Sequence, residues 1–194
     1  MPARRSRKAR GSGKTAIVVA LLALLIVLGY LAYSGLFTTV TVTEADAGPF
    51  ALMVQDQKGD YGQTGRTIGA LRKTAKAAGI ESEAGCGIFL DNPREVKKEN
   101  LRAQVGLVIK ASDKDKVRRL PAEIKYKFLP QSKCLTAVFP FRTKLSIMAG
   151  IMRAYPALQK AVAERKLQRV PALEIYREHV SITYLMPIVP KEGK

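Results

Sequence analysis

Glu174 and Tyr176 are the residues whose types and spacing suit binding chemistry. In Leu173-Glu174-Ile175-Tyr176, strand alternation sends the carboxylate and the phenol to one face and the two aliphatic side chains to the other. A carboxylate beside an aromatic ring suits a cation, through ion pairing and the ring quadrupole. The plainer alternative is a surface or salt-bridged acid in a basic domain. Nucleophilic catalysis finds little material. His179, the single histidine, stands in an expected turn between the last two strands, with no serine or cysteine nucleophile paired to it. Cys86 and Cys134 match no metal spacing; they can pair as one disulfide in an exported domain or stay as buried thiols in a cytoplasmic one. Neither a metal nor a cofactor is expected. Asp91 is expected to turn the chain ahead of Pro93 rather than act as a base. Gly11-Ser12-Gly13-Lys14-Thr15 resembles the end of a phosphate loop, but that pattern needs a glycine where Lys8 stands and a strand before it. It reads as a cap on the helix that follows.

The elements that position these residues follow from periodicity. Strands are expected over 38–44 and 50–54, then a helix over 67–78 with Ile68, Leu71, Ala75 and Ala78 on one face and Gly79 as its stop. Short strands over 86–90 and 101–109 follow, then a charged linker over 110–119. Strands recur at 124–128 and 135–141. A helical segment over 144–167 carries a stripe of Leu145, Met148, Met152, Tyr155, Leu158 and Val162, with Pro156 expected to kink or divide it. The last strands are 173–176 and 181–188. The order strand-strand-helix-strand-strand therefore occurs twice, predicting an α+β domain with antiparallel sheets, helices packed on them and a concave seam between repeats.

Ahead of this domain, the twenty-two residues from Ala16 to Phe37 include no charged side chain. As a helix they measure about 33 Å, enough to cross a hydrocarbon core. Six basic residues (Arg4, Arg5, Arg7, Lys8, Arg10, Lys14) precede them, and the next basic residue is Lys58. That asymmetry predicts a cytoplasmic tail (1–15), a transmembrane helix (16–37) and an exported domain (38–190). Cleavage after Ala45-Asp46-Ala47 is disfavoured because the apolar run exceeds a usual signal core and cleavage would remove a strand. Beyond the tail, 27 basic residues face 16 acidic ones, an excess that favours anionic surroundings. No aromatic residues interleave the basic runs, so nucleic acid is the weaker partner.

Three segments carry a family resemblance. Gly87-Ile88-Phe89-Leu90-Asp91-Asn92-Pro93, followed by Leu101-Arg102-Ala103-Gln104-Val105-Gly106, resembles the signature of the GyrI-like (gyrase-inhibitor-like, SOUL-type effector-binding) small-molecule-binding domain. Leu173-Glu174-Ile175-Tyr176 with a strand ending Met186-Pro187, and Tyr155-Pro156-Ala157-Leu158 with Glu164-Arg165-Lys166-Leu167, look like its membrane-anchored branch, which includes reticulophagy receptors. The resemblance spans about 40–188. It implies a small, often amphipathic or cationic ligand held between the repeats and oriented by an acid on a late strand, by position Glu174. Tyr176, Tyr61, Phe89, Phe139 and Phe141 are then candidate walls, with ordinary core packing as their alternative. The chain has no tryptophan, which removes a common cation-stacking wall and argues against the hydrolase-like members.

The resulting expectation is a non-catalytic, single-pass membrane protein that binds a small amphipathic molecule. The alternative is a tethered adaptor recruiting a protein or anionic partner through its basic surface; a hydrolase acting on small electrophiles would need turnover that vanishes in Glu174→Ala. A reactive tag placed after Lys194 should be labelled from outside intact cells. Labelling only after permeabilisation would put the domain in the cytoplasm.

Overall fold

The computed structural model describes residues 12–191; the basic tail through Gly11 and the last three residues lie outside it. Helix α1 (Ser12–Tyr33) is apolar, long enough to cross a membrane, and none of it is buried in the protein. It ends before the expected Phe37, because Gly35 takes a left-handed φ of 91° and turns the chain. Ser34 and Gly35 are already buried against the domain.

Strands β1 (Val42–Ala47) and β2 (Phe50–Lys58) lead to α2 (Thr64–Ala77), then β3 (Ser82–Phe89) and β4 (Arg102–Ile109). The expected linker holds a short helix, α3 (Lys114–Arg118), which buries Val117 and leaves its charges outside. The second repeat comprises β5 (Ile124–Leu129), β6 (Ser132–Pro140), α4 (Lys144–Glu164), β7 (Leu173–Arg177) and β8 (Ser181–Pro187). Helix α4 runs through Pro156 without dividing; the ring lies on the exposed side.

All eight strands join one sheet in the order β1-β6-β8-β7-β3-β4-β2-β5, and each neighbouring pair is antiparallel. Read inward from either edge, the order is first, second, fourth and third strand of a repeat. The edge strands are exchanged: β1 of the first repeat pairs with β6 of the second, and β5 of the second pairs with β2 of the first. The two half-sheets meet at β3 and β7, so the expected antiparallel sheets are continuous.

Both sheet faces are buried. On one, α4 covers β6 and β8 and α2 covers β3 and β4, enclosing Leu135, Phe139, Tyr184, Leu158 and, under α2, Met53, Leu71 and Leu107. On the other, Leu52, Val54, Cys86, Ile88, Val108, Leu173, Ile175 and Leu185 form a cluster to which no helix contributes. A twisted sheet of this width curls, and the curl closes that face on itself.

One open alternative resolves and one expectation changes. Cys86 and Cys134 are free, buried thiols on β3 and β6, strands with β7 and β8 between them. Met148 and Met152 are exposed rather than part of the core stripe of α4. The core side holds the expected Leu158 and Val162 together with Ser146, Ala149, Gly150, Ala154 and Ala161, small residues that bring the helix axis close to the sheet.

Gly106 is where two backbones approach most closely: a Cβ there would collide with the Met53 carbonyl on β2. Gly106→Ala should therefore cost at least about 2 kcal/mol by overpacking. Gly69→Ala, on α2 with open space around it, should stabilise by about 0.5 to 1 kcal/mol. Denaturant unfolding of the two variants in detergent checks the opposite signs.

Candidate functional site

The ladder between β3 and β7 places Gly87 opposite Glu174 and Gly85 opposite Tyr176. Alternation turns Cys86, Ile88, Leu173 and Ile175 into the cluster behind the sheet, so these four partners all face the helix side. The floor between α2 and α4 thus consists of two glycines, one carboxylate and one phenol. No β-carbon rises from β3 here. A Cβ on Gly87 would meet the Phe89 ring, and one on Gly85 would meet Ile68 of α2.

Glu174 is 1% exposed. Tyr155 Oη, from α4, donates to Glu174 Oε1 at 2.6 Å, and Tyr176 Oη donates to Oε2 at 2.7 Å. Burial pushes the Glu174 carboxyl up to about 7, against the two phenol hydrogen bonds that pull it down. Burial, followed by the neighbouring Glu174 charge, drives the Tyr155, Tyr176 and Tyr184 phenols well upward, so all three remain protonated donors. Tyr184 stacks edge-on against Tyr155 at 5.7 Å, and its buried Oη has no hydrogen-bond partner. Such a group costs about 1 to 3 kcal/mol. Phe141 meets Tyr176 edge-on at 6.5 Å.

Five of the six candidate residues gather around this groove. Glu174 and Tyr176 form the floor, and Phe141 and Phe89 are half-buried rings at its rim. Tyr61 packs edge-on against Phe89 at 4.8 Å. Phe139 serves the core instead, wedged against Gly35 and Gly150 beneath α4. Tyr155 and Tyr184 were not among the candidates. Tyr155 carried one signal, a hydroxyl within an otherwise apolar helix stripe, and its partner is nineteen residues away. Tyr184 lies on an ordinary-looking strand.

The conspicuous sequence motif turns out to be architectural. Asp91 accepts from the Arg102 backbone N–H at 2.7 Å and from its Nε and Nη2 at 3.0 and 2.8 Å, a forked clamp between the ends of β3 and β4. Tyr61 Oη donates to the Arg102 carbonyl at 2.8 Å and accepts from the Asp91 N–H at 3.2 Å. This clamp fixes the rim carrying Phe89. His179 sits in the β7–β8 turn with φ of 60° and is exposed. Among the described residues, no group of three His, Cys, Asp or Glu side chains is arranged to hold a metal.

The raised carboxyl pKa gives stability a direction with pH. The folded state holds its proton up to about 7, whereas the unfolded chain releases it near 4.5. This contribution is complete below 4.5 and is lost as pH rises through 7, by about 1 to 3 kcal/mol. Chemical denaturation from pH 5 to 8 should show that decline, and Glu174→Gln should flatten it.

No family model matches the chain. Testis-expressed protein 264 of Homo sapiens is 31% identical over 178 residues, covering 87% of this chain and 54% of the human protein. Its Mus musculus homologue is 31% identical over 165 residues, covering 80% and 51%. The chain therefore spans about half the length of the curated relatives it matches. Among solved structures, EcmrR in its DNA complex superposes with a TM-score of 0.61 at 10% identity, over 91% of this chain and 68% of that one. The isolated EcmrR C-terminal domain gives 0.59 at 11% identity, over 78% and 98%. Together with the duplicated strand order, these two structures show the fold of the chain, an α+β domain of the kind seen in the EcmrR C-terminal domain.

Proposed function

We propose that this chain is a membrane-tethered receptor domain that takes a small amphipathic molecule with a cationic head into the groove between its repeats. The observation carrying this reading is a buried carboxylate, on a glycine floor, held by phenols and with no basic side chain within salt-bridge distance among the described residues. Burying an ionised carboxylate without a counter-charge is costly, and a ligand cation would supply that charge. The rings of Tyr61, Phe89, Phe141 and Tyr155 would accept its apolar body and the positive face of its head. Tyr184 Oη offers an additional hydrogen bond to a ligand heteroatom.

The groove is filled by its own rings in this structure, so entry requires Phe89, Phe141 or Tyr155 to rotate outward. These rings are half-buried, which keeps that rotation local rather than a remaking of the core. The chain itself supplies binding, orientation and one titratable group; no bond-making step is assigned to it. The membrane end of the proposal rests on α1, an apolar helix long enough to cross a bilayer.

A cation binds the ionised form of Glu174, with Tyr155, Tyr176 and Tyr184 facing it as neutral donors. Affinity should therefore rise between pH 6 and 8, by up to about tenfold for a group titrating near 7. Calorimetry of the nanodisc-embedded chain against tetraphenylphosphonium, with empty nanodiscs as blank, measures this directly. Glu174→Gln should lower affinity about tenfold or more and abolish the pH dependence. Equal affinity in that variant, or no binding by the native chain, would remove the assigned role of Glu174.

A further inference from the structure

The exposed side of α4 carries an apolar stripe. Met148 is 56% exposed, Ile151 39% and Met152 58%, all within one turn on the side opposite Ala149, Gly150 and Ala154. Large side chains are thus left outside while small ones face the core, which costs burial that a soluble helix would normally recover.

The stripe lies beside the point where α1 enters the domain. Arg142 Nη1 donates to the Tyr33 carbonyl at 3.1 Å, and its guanidinium stands 5.4 Å from the Tyr33 ring centre. Arg153 Nε, adjacent to Met152, donates to the Leu36 carbonyl at 2.7 Å. Ser34 Oγ lies 2.9 Å from Thr143 Oγ1, at the residue that caps α4. Two arginines and the helix cap therefore fix the first half of α4 against the last turn of α1. That turn carries exposed Tyr30 and Tyr33, with exposed Phe37 just beyond it, the aromatic residues favoured at the headgroup level of a bilayer. Lys144, exposed on the preceding turn, completes a basic rim with Arg142 and Arg153.

We infer that Met148, Ile151 and Met152 dip into the headgroup–acyl boundary of the membrane that α1 crosses, so that α4 lies along the lipid surface as a second, interfacial contact. The inference rests on the reading of α1 as a bilayer-spanning anchor. The short hydrogen-bonded junction holds the stripe at the depth of the aromatic residues of α1. Apolar side chains there leave water, while Arg142, Lys144 and Arg153 direct their charges to lipid phosphates. The groove roof benefits from the same geometry, because Tyr155 follows Met152 on the same helix. Tyr155 stands at helical spacing from Met148, Ile151 and Met152, so a bilayer contact there would place the site next to a source of amphipathic molecules.

The test places single bimane labels on the full chain in liposomes containing doxyl-lipids. The native thiols are buried and the Cys86 thiol is pushed up to about 12 by that burial, so they do not compete for label. Met152→Cys should be quenched by the lipids at least about twofold more strongly than Arg118→Cys on α3, across the sheet from α4. Adding Met148→Gln and Ile151→Gln should return that label to the level of the α3 site. Leu24→Cys within α1 should be quenched throughout. If position 24 is quenched and position 152 is not, the anchor stands and this inference falls. If position 24 also escapes quenching, the anchor reading fails and takes the inference with it. A label at 152 shielded from aqueous quencher without lipid quenching would mean that a second copy or another protein covers the stripe, which overturns the proposal.

Discussion

The short ladder between β3 and β7 is the constraint on which the rest of the molecule depends. It is the ladder that hydrogen-bonds the two half-sheets to each other, while each repeat lends its first strand to the edge of the other half. Behind it, Cys86, Ile88, Leu173 and Ile175 seal an apolar layer, so its hydrogen bonds are kept from water. In front of it, two glycines opposite Glu174 and Tyr176 leave room that any β-carbon would occupy. One pairing register therefore sets both the strength of the joint and the shape of the site. A slip by one residue would send Glu174 into the apolar layer and Ile175 into the groove.

The electrostatics of the groove are local. The chain is strongly basic overall, yet its cations lie at the surface, where salt screens charges beyond roughly 8 Å. Glu174 feels instead the loss of water and two phenols, and these opposing influences leave its carboxyl poised near neutral pH. A wholly structural carboxyl would be better served by an arginine, as Asp91 is by Arg102. The contrast between these acids separates the clamp from the site: Asp91 is paired and held in its charged form, while Glu174 is buried and lacks a counter-charge.

Helix α4 connects the site to the apolar helix α1. Its small residues lie on the sheet, while Met148, Ile151 and Met152 stand at helical spacing with Tyr155, which reaches Glu174 from the same flank. The same helix is capped at the junction with α1, where Ser34, Arg142 and Arg153 tie the apolar helix to the domain through short hydrogen bonds.

The sequence by itself determined what periodicity and composition can encode. The uncharged run became α1, alternation gave each strand within a few residues, and the repeated element order gave the duplication. It also set Glu174 and Tyr176 on one face, because a strand's period of two is a local property. Partners were not legible. Periodicity names a face but not what lies across from it, so the arrival of Tyr155 at Glu174, the grip of Asp91 on Arg102 and the separation of Cys86 from Cys134 were decided by pairing over long sequence distances. The stripe of α4 was misjudged for a related reason. That helix is apolar on two sides, and hydrophobicity alone does not choose between them. The sheet chose the side bearing Gly150 and the alanines, because only small residues let the helix approach closely enough to cover Phe139 and Tyr184.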